Sequence, residues 1–149
     1  MNIIDGMVLE SGVILKFKSG RSLIYDDFLY FNFFEARGTV DNPVILDGDT
    51  GTPGSWGGLY LGGYFRIDHC SILNGGEFLL PDASEKANVV YAYNGPGNNG
   101  NRMHNSTVAN SAGYGIVQEF ITEDYDFLDP AKNNIFTDNA LGDFIKVRE

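Results

Sequence analysis

Arg66-Ile67-Asp68-His69-Cys70-Ser71-Ile72-Leu73-Asn74 returns 36 residues later as Arg102-Met103-His104-Asn105-Ser106-Thr107-Val108-Ala109-Asn110, matching Arg, an apolar residue, a small residue, an apolar residue and Asn in order. A weaker third copy, Asn133-Asn134-Ile135-Phe136-Thr137-Asp138, puts Phe136 where Ile72 and Val108 stand. A second apolar run precedes each copy, opening at Leu59, Val89 and Ile116, and Phe144 would open a fourth; these openings lie 30, 27 and 28 residues apart. Recurrence at about 20–50 residues marks a solenoid, in which each unit buries its apolar face only against its neighbours. The whole chain, 1–149, reads as one folding unit with one continuous core.

Side-chain parity selects the type of solenoid. Cys70 and Ile72 point one way with Ser71 opposite, as Ser106 and Val108 do around Thr107, so one face is apolar at period two. Ile67, three residues before Cys70, would face outward on a flat strand; a bend at Asp68-His69 returns both to the core. The expectation is an all-β, right-handed parallel β-helix of short strands, each pairing in parallel with the coils above and below. Asn74, Asn110 and Asp138 then stack at a corner, where a ladder of side-chain hydrogen bonds would satisfy turn backbone. Composition agrees: 19 Gly and 14 Asn against 8 Ala favour left-handed turns over helix interiors. No segment keeps a capped 3.6-residue apolar period; the nearest, Glu119 to Pro130, reads as a loop with at most one helical turn.

With 10 Lys+Arg against 20 Asp+Glu the net charge is −10, and no stretch gathers the basic residues into a phosphate-binding stripe, so nucleic acid is not an expected partner. No window approaches the roughly 20 apolar residues of a membrane span. Met1-Asn2-Ile3-Ile4-Asp5 lacks the basic and apolar regions of a signal peptide. The repeats favour export, so the expected location is secreted or cell-surface, outer-membrane associated. The leader then lies outside this sequence, which would be a segment of a longer exported protein. The single Cys70 allows no intramolecular disulfide.

Gly12-Val13-Ile14-Leu15-Lys16-Phe17-Lys18-Ser19-Gly20 and Ala36 to Leu46, followed by Gly54-Ser55-Trp56-Gly57-Gly58-Leu59-Tyr60, Asn105 to Ile116 and Asn134 to Asn139, carry a family likeness. In that order they resemble the coils of right-handed parallel β-helix repeat proteins that bacteria, notably Bacteroidetes, secrete or display, with a pectate-lyase-like fold. The resemblance runs from about Val8 to Val147 and departs at Phe28-Leu29-Tyr30-Phe31-Asn32-Phe33-Phe34, where the family usually has a small, Gly-rich turn. It implies export and the roles of that family: adhesins, polysaccharide-binding modules and passive stalks.

The fold also hosts pectate lyases and polysaccharide hydrolases, but the hydrolase motif set is missing. Asp26-Asp27 is the only adjacent Asp pair, Arg66-Ile67-Asp68 lacks the expected Lys, and neither His69 nor His104 has Gly on both sides. A lyase would need Ca²⁺-binding carboxylates with a Lys or Arg base, drawn from successive coils. Asp47-Gly48-Asp49-Thr50-Gly51 starts like a calcium loop but lacks the later ligands, and reads as a turn. The acidic run Glu119, Glu123, Asp124, Asp126, Asp129 reads as a solvated loop, with Ca²⁺ the lesser alternative. No cofactor is expected beyond that. His69 and His104 align one register apart and read as corner residues, and Cys70 reads as a small core residue.

Trp56, Tyr60 and Tyr64 are the candidate ligand-binding residues, since exposed rings in a row along stacked strands suit the apolar faces of sugars. The run 28–34 is too apolar for a free loop and is expected to cap the N-terminal end of the helix. The expected function is a noncatalytic module for adhesion or polysaccharide binding, with a polysaccharide or a host surface protein as partner. The alternative is a polysaccharide lyase or glycoside hydrolase on the same fold.

Overall fold

The computed structural model describes the chain except residues 4, 5, 28–31, 93–99, 120–124, 148 and 149, and gives the backbone alone at Asn2 and Ile3. The short apolar runs become strands, all paired in parallel in three sheets that stack into a β-solenoid of about 4 turns. The first sheet holds β1 (Asn2–Ile3), β4 (Leu23–Tyr25), β7 (Leu59–Leu61), β10 (Ala87–Tyr91), β13 (Tyr114–Glu119) and β15 (Gly142–Val147). The second holds β2 (Met7–Glu10), β5 (Phe33–Arg37), β8 (Tyr64–Asp68) and β11 (Arg102–His104). The third holds β3 (Ile14–Phe17), β6 (Val44–Gly48), β9 (Cys70–Leu73), β12 (Thr107–Ala109) and β14 (Ile135–Thr137). The coils visit the three sheets in turn up to β13; from there to β14 the described residues hold a 3₁₀ turn and no second-sheet strand.

The register follows the repeats. Arg66 pairs with Arg102, Ser71 with Thr107, Ile72 with Val108 and Val108 with Phe136. Leu59, Val89, Ile116 and Phe144 form one column of the first sheet. Cys70, Ile72, Ser106 and Val108 are buried, as parity requires, and Ser71 and Thr107 on the opposite face are partly exposed.

Corners turn through left-handed backbone: His69, Asn105 and Asn133 have φ of 46°, 52° and 56° just before the third-sheet strands β9, β12 and β14, and Asn74, Asn110 and Asp138 have 62°, 56° and 54° after the third sheet. The side-chain ladder expected at Asn74, Asn110 and Asp138 runs instead at the other corner. There Asn133 Nδ2 donates to Asn105 Oδ1 at 3.0 Å and Asn105 Nδ2 to Asp68 Oδ1 at 2.9 Å. Asn74 turns its amide to Asp47 Oδ1 at 2.7 Å, a carboxylate being a stronger acceptor than another amide. His69 sits at a corner as expected, whereas His104 ends β11.

The first sheet is apolar on both faces. Leu59, Leu61, Val89, Tyr91 and Ile116 point into the lumen, while Tyr60, Val90 and Val117 point outward and are buried under the segment carrying Phe78, Leu80 and Ala83. That segment is anchored by polar contacts: Tyr60 Oη donates to Asp82 at 3.2 Å, and Glu119 Oε1 accepts from Ser84 N at 2.7 Å and from the Ser84 hydroxyl.

Two expectations need correction. Of the run 28–34, positions 28–31 lie outside the described residues; Phe33 and Phe34 belong to β5 in the second coil, where Phe34 pairs with Met7 and Phe65 and is fully buried. These two do not cap the N-terminal end, because a strand lies on each side of them. In the acidic stretch Glu119 to Pro130, Glu119, Tyr125 and Phe127 are buried. Tyr125 and Phe127 pack on Phe65, with ring centroids 5.3 and 5.8 Å away, so this part of the stretch is an anchored element and not a wholly solvated loop. A 3₁₀ turn at Pro130–Lys132 follows, capped by Asp129.

Candidate functional site

The exposed aromatic row expected of Trp56, Tyr60 and Tyr64 does not form. Trp56 is fully buried: its ring stacks on Phe17 at 4.4 Å and its Nε1 donates to Leu73 O at 2.7 Å. The loop after β6 folds inward there because Gly48 leaves room; a Cβ at Gly48 would lie 1.7 Å from Ser55 Oγ and 3.2 Å from Trp56 Cδ1. Tyr60 is 4 % exposed beneath the segment that covers the first sheet. Burial, then the Asp82 and Asp26 carboxylates, push its hydroxyl above the usual tyrosine value. Tyr64 alone of the three is partly exposed, on the outer face of the second sheet, stacked on Phe33 at 5.3 Å.

That outer face carries a depression. Beyond Tyr64 and Phe33 lies a cleft of about 470 Å³ lined by Arg66, Asn101, Arg102, His104, Tyr125 and Lys132. Strand parity places Arg66 and Arg102 outward, both exposed, and the parallel register sets one directly beside the other. The Arg66 guanidinium lies 3.9 Å from the centre of the Phe33 ring. Lys132 reaches in from the 3₁₀ turn, with Nζ 4.2 Å from the Tyr125 ring centre, donating to Asp126 O and 4.0 Å from Asp129 Oδ2. The floor is held by Asn101, whose Oδ1 accepts from Phe65 N at 2.9 Å and whose Nδ2 donates to Tyr91 Oη at 2.9 Å. Tyr125 Oη accepts from Met103 N at 2.7 Å.

Charge is distributed unevenly around this cleft. Among the described residues no carboxylate lies within 4.0 Å of Arg66 or Arg102. The nearby acids are engaged elsewhere: Glu35 and Glu10 with Arg37 at 3.0 and 3.3 Å, and Asp68 with His69 at 2.9 Å. Like charges directly opposite on neighbouring strands repel, and a bound oxyanion would relieve that repulsion while meeting the fork geometry of guanidinium.

Among the described residues no three His, Cys, Asp or Glu side chains gather as a metal site. Asp47, first of the calcium-like turn, is buried and bound to Lys16 and Asn74. Cys70 is buried, and burial pushes its thiol up to about 12, which keeps it protonated and inert as a nucleophile. The cleft can therefore bind and orient an anion with side chains already in place.

Sequence reasoning passed over Arg66 and Arg102 as ligand contacts although they head the two matched copies. Their signal was that a cation recurs at the same outward position one coil apart. Lys132 carried no such signal, since it arrives from a non-repeated turn. No protein-family model, no curated protein and no solved structure matches this chain.

Proposed function

We propose that this chain is a noncatalytic β-solenoid module of an exported or cell-surface bacterial protein, and that it binds acidic polysaccharide in the cleft on its second sheet. The observation that carries this reading is the in-register pair Arg66 and Arg102, exposed and without a carboxylate partner among the described residues, in a chain of net charge −10. Tyr64 stacked with Phe33 sets an aromatic surface beside the cations, which suits the carbon face of a sugar. Export rests on the resemblance to secreted β-helix proteins. Affinity electrophoresis through gels containing polygalacturonate, alginate or dextran tests the reading. The two acidic polymers should retard the protein, dextran should not, and Arg66→Ala/Arg102→Ala should remove the retardation without loss of fold. Equal retardation of the double variant would overturn it. Because His104 and Lys132 share the cleft, ultraviolet absorbance from unsaturated uronate products would replace the noncatalytic reading with that of a lyase.

A further inference from the structure

The buried side chain of Gln118 has no hydrogen-bond partner among the described residues and lines a second depression. In the first sheet the lumen column of β7, β10, β13 and β15 runs Leu61, Tyr91, Gln118 and Lys146. Gln118 is 1 % exposed, and among the described residues neither its Nε2 nor its Oε1 finds a hydrogen-bond partner. Burying an amide unsatisfied is costly where an apolar side chain of similar shape would not be. Gln118 borders a pocket of about 200 Å³ whose other walls are Tyr125, Asp126, Phe144 and Lys146.

We infer that this pocket is a subsite for a single uncharged pyranose ring bearing two free neighbouring hydroxyls. A primary amide offers a donor and an acceptor side by side, and a vicinal diol answers both at once because each hydroxyl donates and accepts. Phe144 and Tyr125 supply ring surface for the carbon face of a sugar. The volume lies below the roughly 300–1,000 Å³ of drug-sized sites, which suits one ring. The two charged walls, Asp126 and Lys146, carry opposite signs, so the pocket offers no net charge to select an ionic ligand. Tyr125 is a wall of both depressions. The inference deepens the polysaccharide reading and rests on it for the ligand class: the polymer would carry a neutral residue near its acidic one.

Nuclear magnetic resonance of the Gln118 side-chain amide tests this, the signal being identified by its loss in Gln118→Leu. Titration with methyl glycosides of glucose, galactose, mannose and xylose should move that signal saturably for at least one. Its deoxy analogue, lacking one hydroxyl of the diol, should bind about tenfold more weakly. Gln118→Leu should melt at the same or a higher temperature, since the idle amide is removed, and should still be retarded by polygalacturonate. A Gln118 signal unmoved by all four glycosides overturns the subsite, whatever the cleft binds. A marked fall in the melting temperature of Gln118→Leu also overturns it, by showing the amide to be structural. If the Arg66→Ala/Arg102→Ala protein is retarded like the parent while Gln118 still responds to a glycoside, the cleft reading fails and the subsite stands.

Discussion

Trp56 ties the first coil to the third: its ring lies parallel to Phe17 within 8°, and its indole nitrogen donates to the carbonyl of Leu73. Trp56→Ala should therefore remove about 3–5 kcal/mol of stability, measured by urea unfolding. Trp56→Phe keeps the stacked ring but leaves the Leu73 carbonyl unpaired, and should cost less, about 1–3 kcal/mol. A loss under about 0.5 kcal/mol for Trp56→Ala would contradict a buried indole.

Gly48 makes that insertion possible. Gly48→Ala sets a methyl group against Ser55 and the Trp56 ring. Overpacking of this kind typically costs about 1–3 kcal/mol, and Trp56 fluorescence should shift to longer wavelength as the loop is pushed outward. An unchanged emission maximum would show that the loop yields elsewhere.

The register is tested by neighbours of opposite parity. Val108 is fully buried between Ile72 and Phe136, so Val108→Asp should cost several kcal/mol, comparable with the whole stability of a small domain. Thr107 faces outward, and Thr107→Asp should change the melting temperature little. Equal effects from the two substitutions would place the strand wrongly.

Alkaline pH should weaken the fold. In the unfolded chain the Cys70 thiol ionises near 9.0, whereas in the folded chain burial holds the proton until about 12. Between those values the unfolded state binds fewer protons, so this contribution is complete below pH 9 and is lost as pH rises, at about 1.4 kcal/mol per unit. Buried Tyr25 and Tyr60, likewise raised from 10.0, steepen the fall above that value. Urea midpoints across this range should decline, and Cys70→Ala should flatten the first part of the decline relative to its own value at neutral pH.

Arg102 gives the sharpest test of the cleft. Arg102→Ala should weaken retardation by polygalacturonate about 10- to 100-fold, the share of one charge-assisted contact, without lowering the melting temperature. Arg66→Ala should weaken it similarly and also cost about 0.5–1 kcal/mol of stability, since it loses the Phe33 ring.

The architecture was legible in the chain because a solenoid repeats its instructions. Arg66 to Asn74 and Arg102 to Asn110 carry the same parity, and period-two alternation around Ser71 and Thr107 separates lumen from surface without reference to distant residues. The columns beginning at Leu59 and Ile72 follow from that alone. The positions of the tryptophan and tyrosines did not, because their burial depends on non-repeated segments: the loop that folds in over Gly48 hides Trp56, and the segment bearing Phe78 and Leu80 hides Tyr60. Parity says which way Tyr60 points but not what lies above it. Only the tertiary structure set Lys132 from a 3₁₀ turn beside Arg66 and Arg102, and left Gln118 in the lumen without a partner among the described residues. Periodic contacts are encoded locally, whereas a cleft or an unsatisfied amide is made by segments far apart in the chain, whose meeting no local pattern records.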